Sequence, residues 1–282
     1  MTLYDDSSDR HTTSVAHLVR LMACLRDPVH GCAWDRKQTF SSLTRHTLEE
    51  VYEVIDAVEQ GDPEKICDEL GDLLFQVIFY AQIAQESGQF DLGAVASAVL
   101  DKLLHRHPHI FPDGTLASFG HPSLLTADEV ERNWEQIKNA EREATATGSE
   151  PVSVLDDVAS AMPAIERAGK LQKRAASVGF DWQEVGQVLS CLQAEITELQ
   201  HAIGKADKQE QEHELGDVLF TCVNLARHLK ADPELALRLA NQRFENRFRI
   251  VETSARQAGS TAADSNASTL DQYWQAAKES GN

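Results

Sequence analysis

The chain has 282 residues, of which 42% are hydrophobic, and this is enough for two domains of ordinary size with proper cores. Its formal net charge of −19 argues against bulk nucleic-acid binding, which requires a basic surface. No uncharged apolar run of about 18 residues occurs, and no basic segment precedes a short apolar one, so we expect neither a membrane span nor a signal peptide. Five scattered cysteines without a CxxC motif predict reduced thiols and a cytoplasmic protein.

Helices are expected throughout the chain, because Gly and Pro are scarce, at 15 and 8 residues, and long helical periods dominate. We therefore predict an all-α fold. Residues 1–14 are polar and lack periodicity, which is typical of a flexible tail. An amphipathic helix is predicted from Val15 to Arg26. After a loop, Thr39 is a candidate cap for the next helix, and Thr47 for the helix that follows it.

The stretch 47–84 contains two helical periods separated by a turn with Gly61 and Pro63. Residues three apart lie on one side of a helix. Each period carries one pair of carboxylates with that spacing, namely Glu50 with Glu53 and Glu69 with Asp72. The pattern predicts a helical hairpin that brings the two pairs face to face.

The second helix of this hairpin points to a metal site. Glu69, Asp72 and Gln76 fall on one narrow stripe, and apolar side chains occupy the rest of the circumference, which predicts a buried helix. No Lys or Arg follows within 70–84 to neutralise the carboxylates, and an unpaired buried ion costs several kcal/mol, roughly. A divalent cation held by four carboxylates meets that need. Oxygen ligands suit Mg²⁺, with Mn²⁺ plausible, rather than zinc. The alternative is a pair of solvated helix faces.

Basic and histidine residues follow the first hairpin. Asp91 is a predicted cap of a helix that runs through His105, and Lys102 and Arg106 are candidate phosphate ligands near its end. An ion pair at the surface is the alternative for Arg106. His105, His107 and His109 suggest zinc, but Pro108 interrupts any helix there and alternate spacing does not make a tetrahedral site. A charged helix is predicted over 127–143, and residues 144–154 are rich in small and polar side chains, which predicts a linker.

The same carboxylate pattern occurs a second time in residues 191–227. Its four carboxylates match the first set in order and spacing: Glu195, Glu198, Glu214 and Asp217. The interval from the second to the third carboxylate is 16 residues in both copies. Among the differences between the copies, one is informative: Glu49 is matched by Ala194. Further correspondences in the same order, such as WEQIK at Trp134 with WQAAK at Trp274, predict a duplicated domain with copies at 15–143 and 155–282.

The second copy supplies further candidate substrate ligands. A predicted helix over 164–178 carries three basic residues, a hairpin is predicted over 183–229, and Pro233 begins a helix with an Asn and two Arg. Arg grips phosphate oxygens in bidentate fashion. Residues 253–268 are a predicted loop before a last helix. The candidate ligands for phosphate are Lys170, Lys173, Arg174, Asn241, Arg243 and Arg247, and those for the base are Trp34, Phe180, Trp182 and Trp274. Basic helix faces and plain core packing are the alternatives.

The pattern E-E-x-x-E, a gap, then E-x-x-D resembles that of the all-α nucleoside triphosphate pyrophosphohydrolases, and the tandem arrangement resembles the MazG family. The segments TLEEVYEVIDA, DELGDLLFQVIFYAQIA and HRHPHIF are similar to its N-terminal half. The segments KLQKRAASVGFDW, ELGDVLFTCVNLARHL and NQRFENRF are similar to its C-terminal half. The resemblance covers residues 15–280, almost the whole chain.

The resemblance implies hydrolysis of nucleoside triphosphates, ribo or deoxyribo, to the monophosphate and pyrophosphate, with water attacking the α-phosphorus. The carboxylates would hold Mg²⁺, and Glu49 would orient or deprotonate the water. Glu50, Glu53, Glu195 and Glu198 are counted with the catalytic residues as well as with the metal ligands. In the family the C-terminal domain is usually credited with the activity. Because Ala194 removes the outer carboxylate there, metal binding is expected in that copy and efficient turnover is in question.

The resemblance also implies a homodimer, in which hairpins pair to form four-helix-bundle cores with metal inside. Two rival interpretations remain. A di-iron carboxylate bundle needs two E-x-x-H motifs. Glu210 with His213 is one such string, but it lies a turn before the carboxylate stripe, and the first copy has Glu64 with Cys67 instead. A catalytically weak helical module that binds a metal and a partner is the non-enzymatic alternative, and the loss at Ala194 favours it for one copy.

Overall fold

The computed structural model describes residues 7–120, 123–145, 153–156 and 158–279. Within these ranges the chain forms helices and no strand, so the predicted all-α class is confirmed. The α-helices are α1 (Ser7–Leu25), α2 (Phe40–Gln60), α3 (Pro63–Glu86), α4 (Leu92–Arg106), α5 (Ala127–Thr145), α6 (Ala164–Ser177), α7 (Val185–Lys205), α8 (Lys208–His228), α9 (Pro233–Gln257) and α10 (Ala267–Glu279).

The chain divides into two compact units, Met1–Ala144 and Thr145–Asn282. The division falls at the start of the predicted linker, whose residues 146–152 lie outside the described residues. Of the predicted tail, residues 1–6 also lie outside them, whereas α1 begins at Ser7. The predicted start of that helix at Val15 is therefore wrong by eight residues, because polar side chains in the first two turns do not prevent helix formation.

The first unit is built on the hairpin of α2 and α3, which pack against each other. Thr39 caps α2 by accepting a hydrogen bond from the Ser42 amide at 3.2 Å, as predicted. The prediction of a second cap at Thr47 is wrong, because α2 is continuous and the Thr47 hydroxyl bonds to the Leu43 carbonyl and the Tyr80 hydroxyl instead. Gly61, in the left-handed region, and the cap Asp62 make the turn into α3.

The core of the first unit lies where α1, α2 and α3 meet, around Met22, Leu43, Ile78 and Phe79, each at most 1% exposed. This arrangement corrects the prediction that α3 is buried nearly all round. Its C-terminal half is covered by α1, but the side chains of its N-terminal half that do not face α2, Leu70 among them, remain exposed in the single chain.

The second unit repeats the hairpin with α7 and α8, which pack against each other as α2 and α3 do. Asp207 caps α8 as Asp62 caps α3, and Ala206 adopts the left-handed backbone (φ 58°) that Gly61 adopts in the first turn. Helix α6 packs on α8 and α9, and α10 packs on α9. The predicted loop over 253–268 is wrong at both ends. Helix α9 continues to Gln257, with Val251 and Ala255 buried on one face, and α10 begins at Ala267.

No helix in the described ranges is both long enough and apolar enough to cross a membrane. All five cysteines are free thiols, of which Cys191 is the one that is half-buried.

Candidate active site

Three carboxylates of the first hairpin lie together, with one oxygen of each within 4.8 Å of the others: Glu50 on α2 and Glu69 and Asp72 on α3. We call this cluster the first triad. The hairpin turn sets the register that places the α2 carboxylate opposite the α3 pair. Gln76, one turn beyond Asp72, is buried and donates through Nε2 to Glu50 Oε1 at 3.4 Å. The predicted convergence of the two helices on one site is therefore present for three carboxylates.

The second hairpin brings the matching residues together within the same 4.8 Å: Glu195 on α7 and Glu214 and Asp217 on α8. We call these the second triad. The Cys191 thiol, one turn before Glu195, donates to its Oε1 at 3.6 Å. His213 Nε2 lies 3.5 Å from Asp217 Oδ2 at the exposed edge. The repeat seen in the sequence thus extends to the geometry of the carboxylates.

The first triad is electrostatically unfavourable by itself. Burial, followed by the negative charges of Asp72 and Glu53, raises the pKa of Glu50 above its ordinary value. Burial, followed by the charges of Glu53, Asp68 and Asp72, raises the pKa of Glu69. Each raised pKa means that burial and the neighbouring negative charges disfavour the ionised carboxylate, a cost that a bound cation would reduce.

The fourth predicted ligand of each copy lies outside its triad. Glu53 is exposed, yet it is near enough to raise the pKa of both Glu50 and Glu69. Glu198 is exposed on α7. Glu49 is also exposed, and its Oε2 lies 3.7 Å from His46 Nδ1. The roles of Glu53 and Glu198 as metal ligands, and of Glu49 as the base, stay predictions.

The donor chemistry of both triads fits a hard divalent cation, since every ligand atom is a carboxylate oxygen. Two buried oxygens at these sites have no hydrogen-bond partner among the described residues: Gln76 Oε1, next to the first triad, and Glu214 Oε2, within the second. A buried oxygen without a donor is costly unless something satisfies it. A cation, with its bound water, would satisfy both.

A cleft of about 600 Å³ adjoins the second triad and includes Glu195 and Asp217 in its lining. Phe180 and Trp182, from the segment between α6 and α7, form an aromatic wall. Trp182 is 44% exposed, so its ring is available to a ligand. A cleft with carboxylates at one place and aromatic rings at another has the groups required for the phosphate and base ends of a nucleotide.

The predicted phosphate ligands of the first unit differ in their surroundings. Lys102 is exposed on α4. Arg106 forms an ion pair with Glu141 of α5, Nη2 to Oε2 at 2.6 Å, and this contact lowers the pKa of Glu141. The ion pair is the alternative foreseen for Arg106, so in this structure its guanidinium serves to join α4 to α5.

In the second unit Lys170 and Lys173 are exposed on α6. Arg174 donates to the backbone carbonyls of Val154 and Asp156, and so holds the segment that precedes α6. Its predicted contact with phosphate would require it to leave those carbonyls. None of these three side chains lines the cleft.

The predicted ligands of α9 and the remaining tryptophans lie outside the cleft lining as well. Asn241 and Arg243 are exposed on α9, and Arg247 is half-buried. Trp274 of α10 packs on Phe244 of α9, with ring centres 5.3 Å apart, which agrees with the alternative of a packing role. Trp34 is 52% exposed and contacts His46 edge-on. Their roles in substrate binding stay predictions.

Sequence reasoning missed several polar residues of the cleft: Gln172, Asp181, Asn224 and Arg227. One available signal was helical spacing, because Asp217, Thr221 and Asn224 recur on one face of α8. Asp181 gave no such signal, since it lies between helices and acts through contacts with residues 46 and 47 positions away.

The rival metal sites gain no support from the geometry. His107 packs its ring on His109 and Trp134, and no cluster of potential ligands among the described residues includes a histidine. Glu210, of the E-x-x-H string, pairs with Lys205 at 2.8 Å and is not a member of the second triad.

Comparison with known proteins agrees with this geometry. The family model for the MazG nucleotide pyrophosphohydrolase domain matches twice, at residues 38–111 and 183–249, and each match contains one triad. The chain is 44% identical over 266 residues to the nucleoside triphosphate pyrophosphohydrolase of Escherichia coli K12, an alignment covering 94% of this chain and 97% of that protein. It is 38% identical over 261 residues to the nucleoside triphosphate pyrophosphohydrolase/pyrophosphatase MazG of Thermotoga maritima, covering 93% and 94%. The chain therefore belongs to the MazG nucleotide pyrophosphohydrolase family.

Proposed function

We propose that this chain hydrolyses nucleoside triphosphates, ribo or deoxyribo, to the nucleoside monophosphate and pyrophosphate, by attack of water on the α-phosphorus. The observation that carries the proposal is the pair of carboxylate triads, each inside a stretch that matches the family model. Relatives that align over nearly their whole length are named for this activity. Cleansing or regulation of the nucleotide pool in the cytoplasm is the role that this chemistry fits.

We assign Mg²⁺, or Mn²⁺ in its place, to both triads. Glu50, Glu69 and Asp72 would hold it in the first copy, and Glu195, Glu214 and Asp217 in the second, with Glu53 and Glu198 as the further carboxylates. When bound, the cation neutralises charge on the phosphate oxygens and lowers the pKa of a coordinated water. The carboxylates themselves provide a fixed, oxygen-only surface on two packed helices, which keeps the reacting groups in place.

The two copies then differ in what their own residues contribute. In the first copy Glu49, beside His46, orients or deprotonates the attacking water. In the second copy Ala194 removes that carboxylate, but the cleft supplies an aromatic wall with Trp182 and a passage to Glu195 and Asp217. Our hypothesis is that the second copy hydrolyses the triphosphate, and that the first stabilises the dimer or adds its own activity.

We further propose that the active form is a homodimer. In the single chain, large apolar side chains of both hairpins are exposed, including Leu70 (49%) and Leu74 (36%) on α3 and Leu215 (48%) and Leu219 (58%) on α8. Adjacent exposed apolar side chains on a soluble helix are typical of an interface. Pairing hairpins between two chains would cover them and complete four-helix bundles around the triads.

One observation favours a second candidate for one copy, a helical module that binds metal but hydrolyses triphosphates only weakly: Ala194 stands in the second copy where the first has Glu49.

The test of the proposed hydrolysis is to incubate the pure protein with each nucleoside triphosphate and Mg²⁺ and to identify the products. Monophosphate with pyrophosphate supports hydrolysis at the α-phosphorus. Nucleoside diphosphate with phosphate, or no turnover of any triphosphate, would contradict hydrolysis at the α-phosphorus.

A further inference from the structure

The aromatic wall of the cleft beside the second triad contains an anchored residue, which lies between the two aromatic residues in the sequence. Phe180, Asp181 and Trp182 belong to the short segment that joins α6 to α7, and all three line the cleft. Phe180 is 82% exposed and Trp182 is 44% exposed, so neither ring is fixed by burial in the core. Their position must therefore depend on how the intervening residue is anchored.

Asp181 is anchored to the last turn of α8. Arg227 donates to both oxygens of the carboxylate, Nη1 to Oδ2 at 2.8 Å and Nη2 to Oδ1. His228 Nε2 lies 3.1 Å from Oδ1, and the Trp182 amide donates to the same oxygen at 2.8 Å. The Asp181 and Arg227 side chains are 27% and 23% exposed, which limits screening by solvent. A two-pronged contact of this kind fixes direction as well as distance.

The same guanidinium also fixes a second polar residue of the cleft. Arg227 donates to Asn224 Oδ1 from Nε at 3.2 Å and from Nη2 at 2.7 Å. Because a guanidinium can only donate, the oxygen of the Asn224 amide must face Arg227. Asn224 lies seven residues after Asp217 on α8, which corresponds to about 10 Å along the helix axis. That length would separate a phosphate held at the triad from a base held at the aromatic wall.

We propose that Asp181 and Arg227 are positioning residues that hold Phe180 and Trp182 against the base and sugar of the nucleotide, and so determine nucleotide affinity and not the hydrolytic step. The inference rests on the proposed function of the second copy. It predicts that loosening this ion pair weakens ligands that carry a base and leaves a base-free ligand unaffected. A merely structural ion pair would affect both kinds of ligand or neither.

The experiment uses the full-length chain with Glu69→Ala, which removes a proposed ligand from the first triad, and adds Asp181→Asn or Arg227→Lys. Asp181→Asn keeps the shape but removes the charge, and Arg227→Lys keeps the charge but cannot span both oxygens. Quenching of Trp182 fluorescence by a nucleoside monophosphate, after subtraction of the Trp182→Phe signal, measures binding of a base. Calorimetry with inorganic pyrophosphate and Mg²⁺ measures binding at the triad.

We expect the dissociation constant of the monophosphate to rise about tenfold in either variant, the scale of a lost stacking contact. Pyrophosphate affinity should stay within about twofold, and any effect on turnover should appear in KM and not in kcat. Arg249→Lys is the matched control, because Arg249 forms an exposed pair with Glu245, and it should change neither ligand.

Unchanged monophosphate affinity would overturn the inference, as would equal weakening of both ligands or a fall in kcat at constant KM. The two binding measurements need no turnover. If the unsubstituted chain fails to hydrolyse triphosphates, the proposed function is refuted, while the ratio of the two affinities still decides whether Asp181 and Arg227 position the nucleotide.

Discussion

Replacing Glu50 by Gln should stabilise the metal-free protein and weaken its response to Mg²⁺. The substitution removes one of three negative charges whose oxygens lie within 4.8 Å, while the Gln oxygen can still accept the hydrogen bond from Gln76. At that distance the repulsion between Glu50 and Asp72 amounts to about 3 kcal/mol at an effective dielectric constant of about 20. Since Asp72 is exposed to solvent, we discount this lost repulsion to a net gain of about 1 kcal/mol.

The assay is thermal unfolding followed by circular dichroism, in EDTA and in Mg²⁺. A gain of this size raises the Tm in EDTA by about 2–4 °C. At the same high Mg²⁺ concentration the variant should show a smaller increase in Tm than the unsubstituted chain, because the stabilisation by a ligand that binds only the folded state grows with the logarithm of its affinity. Asp101→Asn on α4, which is exposed and changes the net charge equally, is the control and should leave both values alone. A lower Tm for Glu50→Gln in EDTA, or an undiminished response to Mg²⁺, would refute this reasoning.

Four further predictions concern the two copies. Glu214→Ala should lower Mg²⁺-dependent hydrolysis by more than about tenfold, and Glu69→Ala by less; full activity in both single variants would remove the activity from these sites. Because the pKa of Glu50 is raised, protons compete with Mg²⁺ for the first triad at a higher pH than for an ordinary Glu, so Mg²⁺ affinity should fall as the pH is lowered towards that pKa. The free energy of unfolding of the metal-free protein should instead be greater at low pH and decline as the pH rises through the pKa of Glu50. A calorimetric Mg²⁺ affinity that does not change with pH would contradict this. Leu219→Glu should halve a sedimentation mass of two chains; a mass of one chain for the unsubstituted protein would eliminate the dimer. Ala206→Gly should raise the free energy of unfolding by about 0.5–1 kcal/mol, since its φ of 58° is unfavourable for Ala; denaturant titration with no gain would show that the turn carries no strain.

The hairpins and the triads could be predicted from sequence because they depend on local rules. Helical spacing places Glu69 and Asp72 on one side of α3, and the Gly61 turn folds α2 back towards them. The same 16-residue interval occurs from Glu198 to Glu214, and it predicts the same hairpin in the second copy. Periodicity of this kind requires no knowledge of distant contacts.

The errors have a common physical cause, which is that contacts between helices decide what one helix cannot. Residue type alone makes Thr47 a candidate helix cap. Because α2 packs on α3, however, the helix continues through this position without a break. The apolar circumference of α3 predicts burial of the whole helix, but it does not reveal which neighbouring helix covers each half. The N-terminal half is exposed in the single chain.

The roles of basic residues were the least predictable part of the site. In the sequence both Arg106 and Arg174 have the features of a phosphate ligand. In the structure Arg106 pairs with Glu141, and Arg174 bonds to backbone carbonyls. Arg227 bonds to both Asp181 and Asn224 in the cleft, but Asp181 lies 46 residues away in the sequence, so no local pattern indicates this contact. Only a folded chain reveals such pairs.

The most direct test of the account is product analysis after incubation with nucleoside triphosphates and Mg²⁺, for the unsubstituted chain and for the combined Glu69→Ala and Glu214→Ala variant. Each substitution removes one carboxylate from one triad. The account predicts nucleoside monophosphate and pyrophosphate from the unsubstituted chain, abolished by EDTA and by the combined variant. Products unaffected by EDTA, or a combined variant that retains full activity, would contradict the claim that hydrolysis depends on metal at these triads.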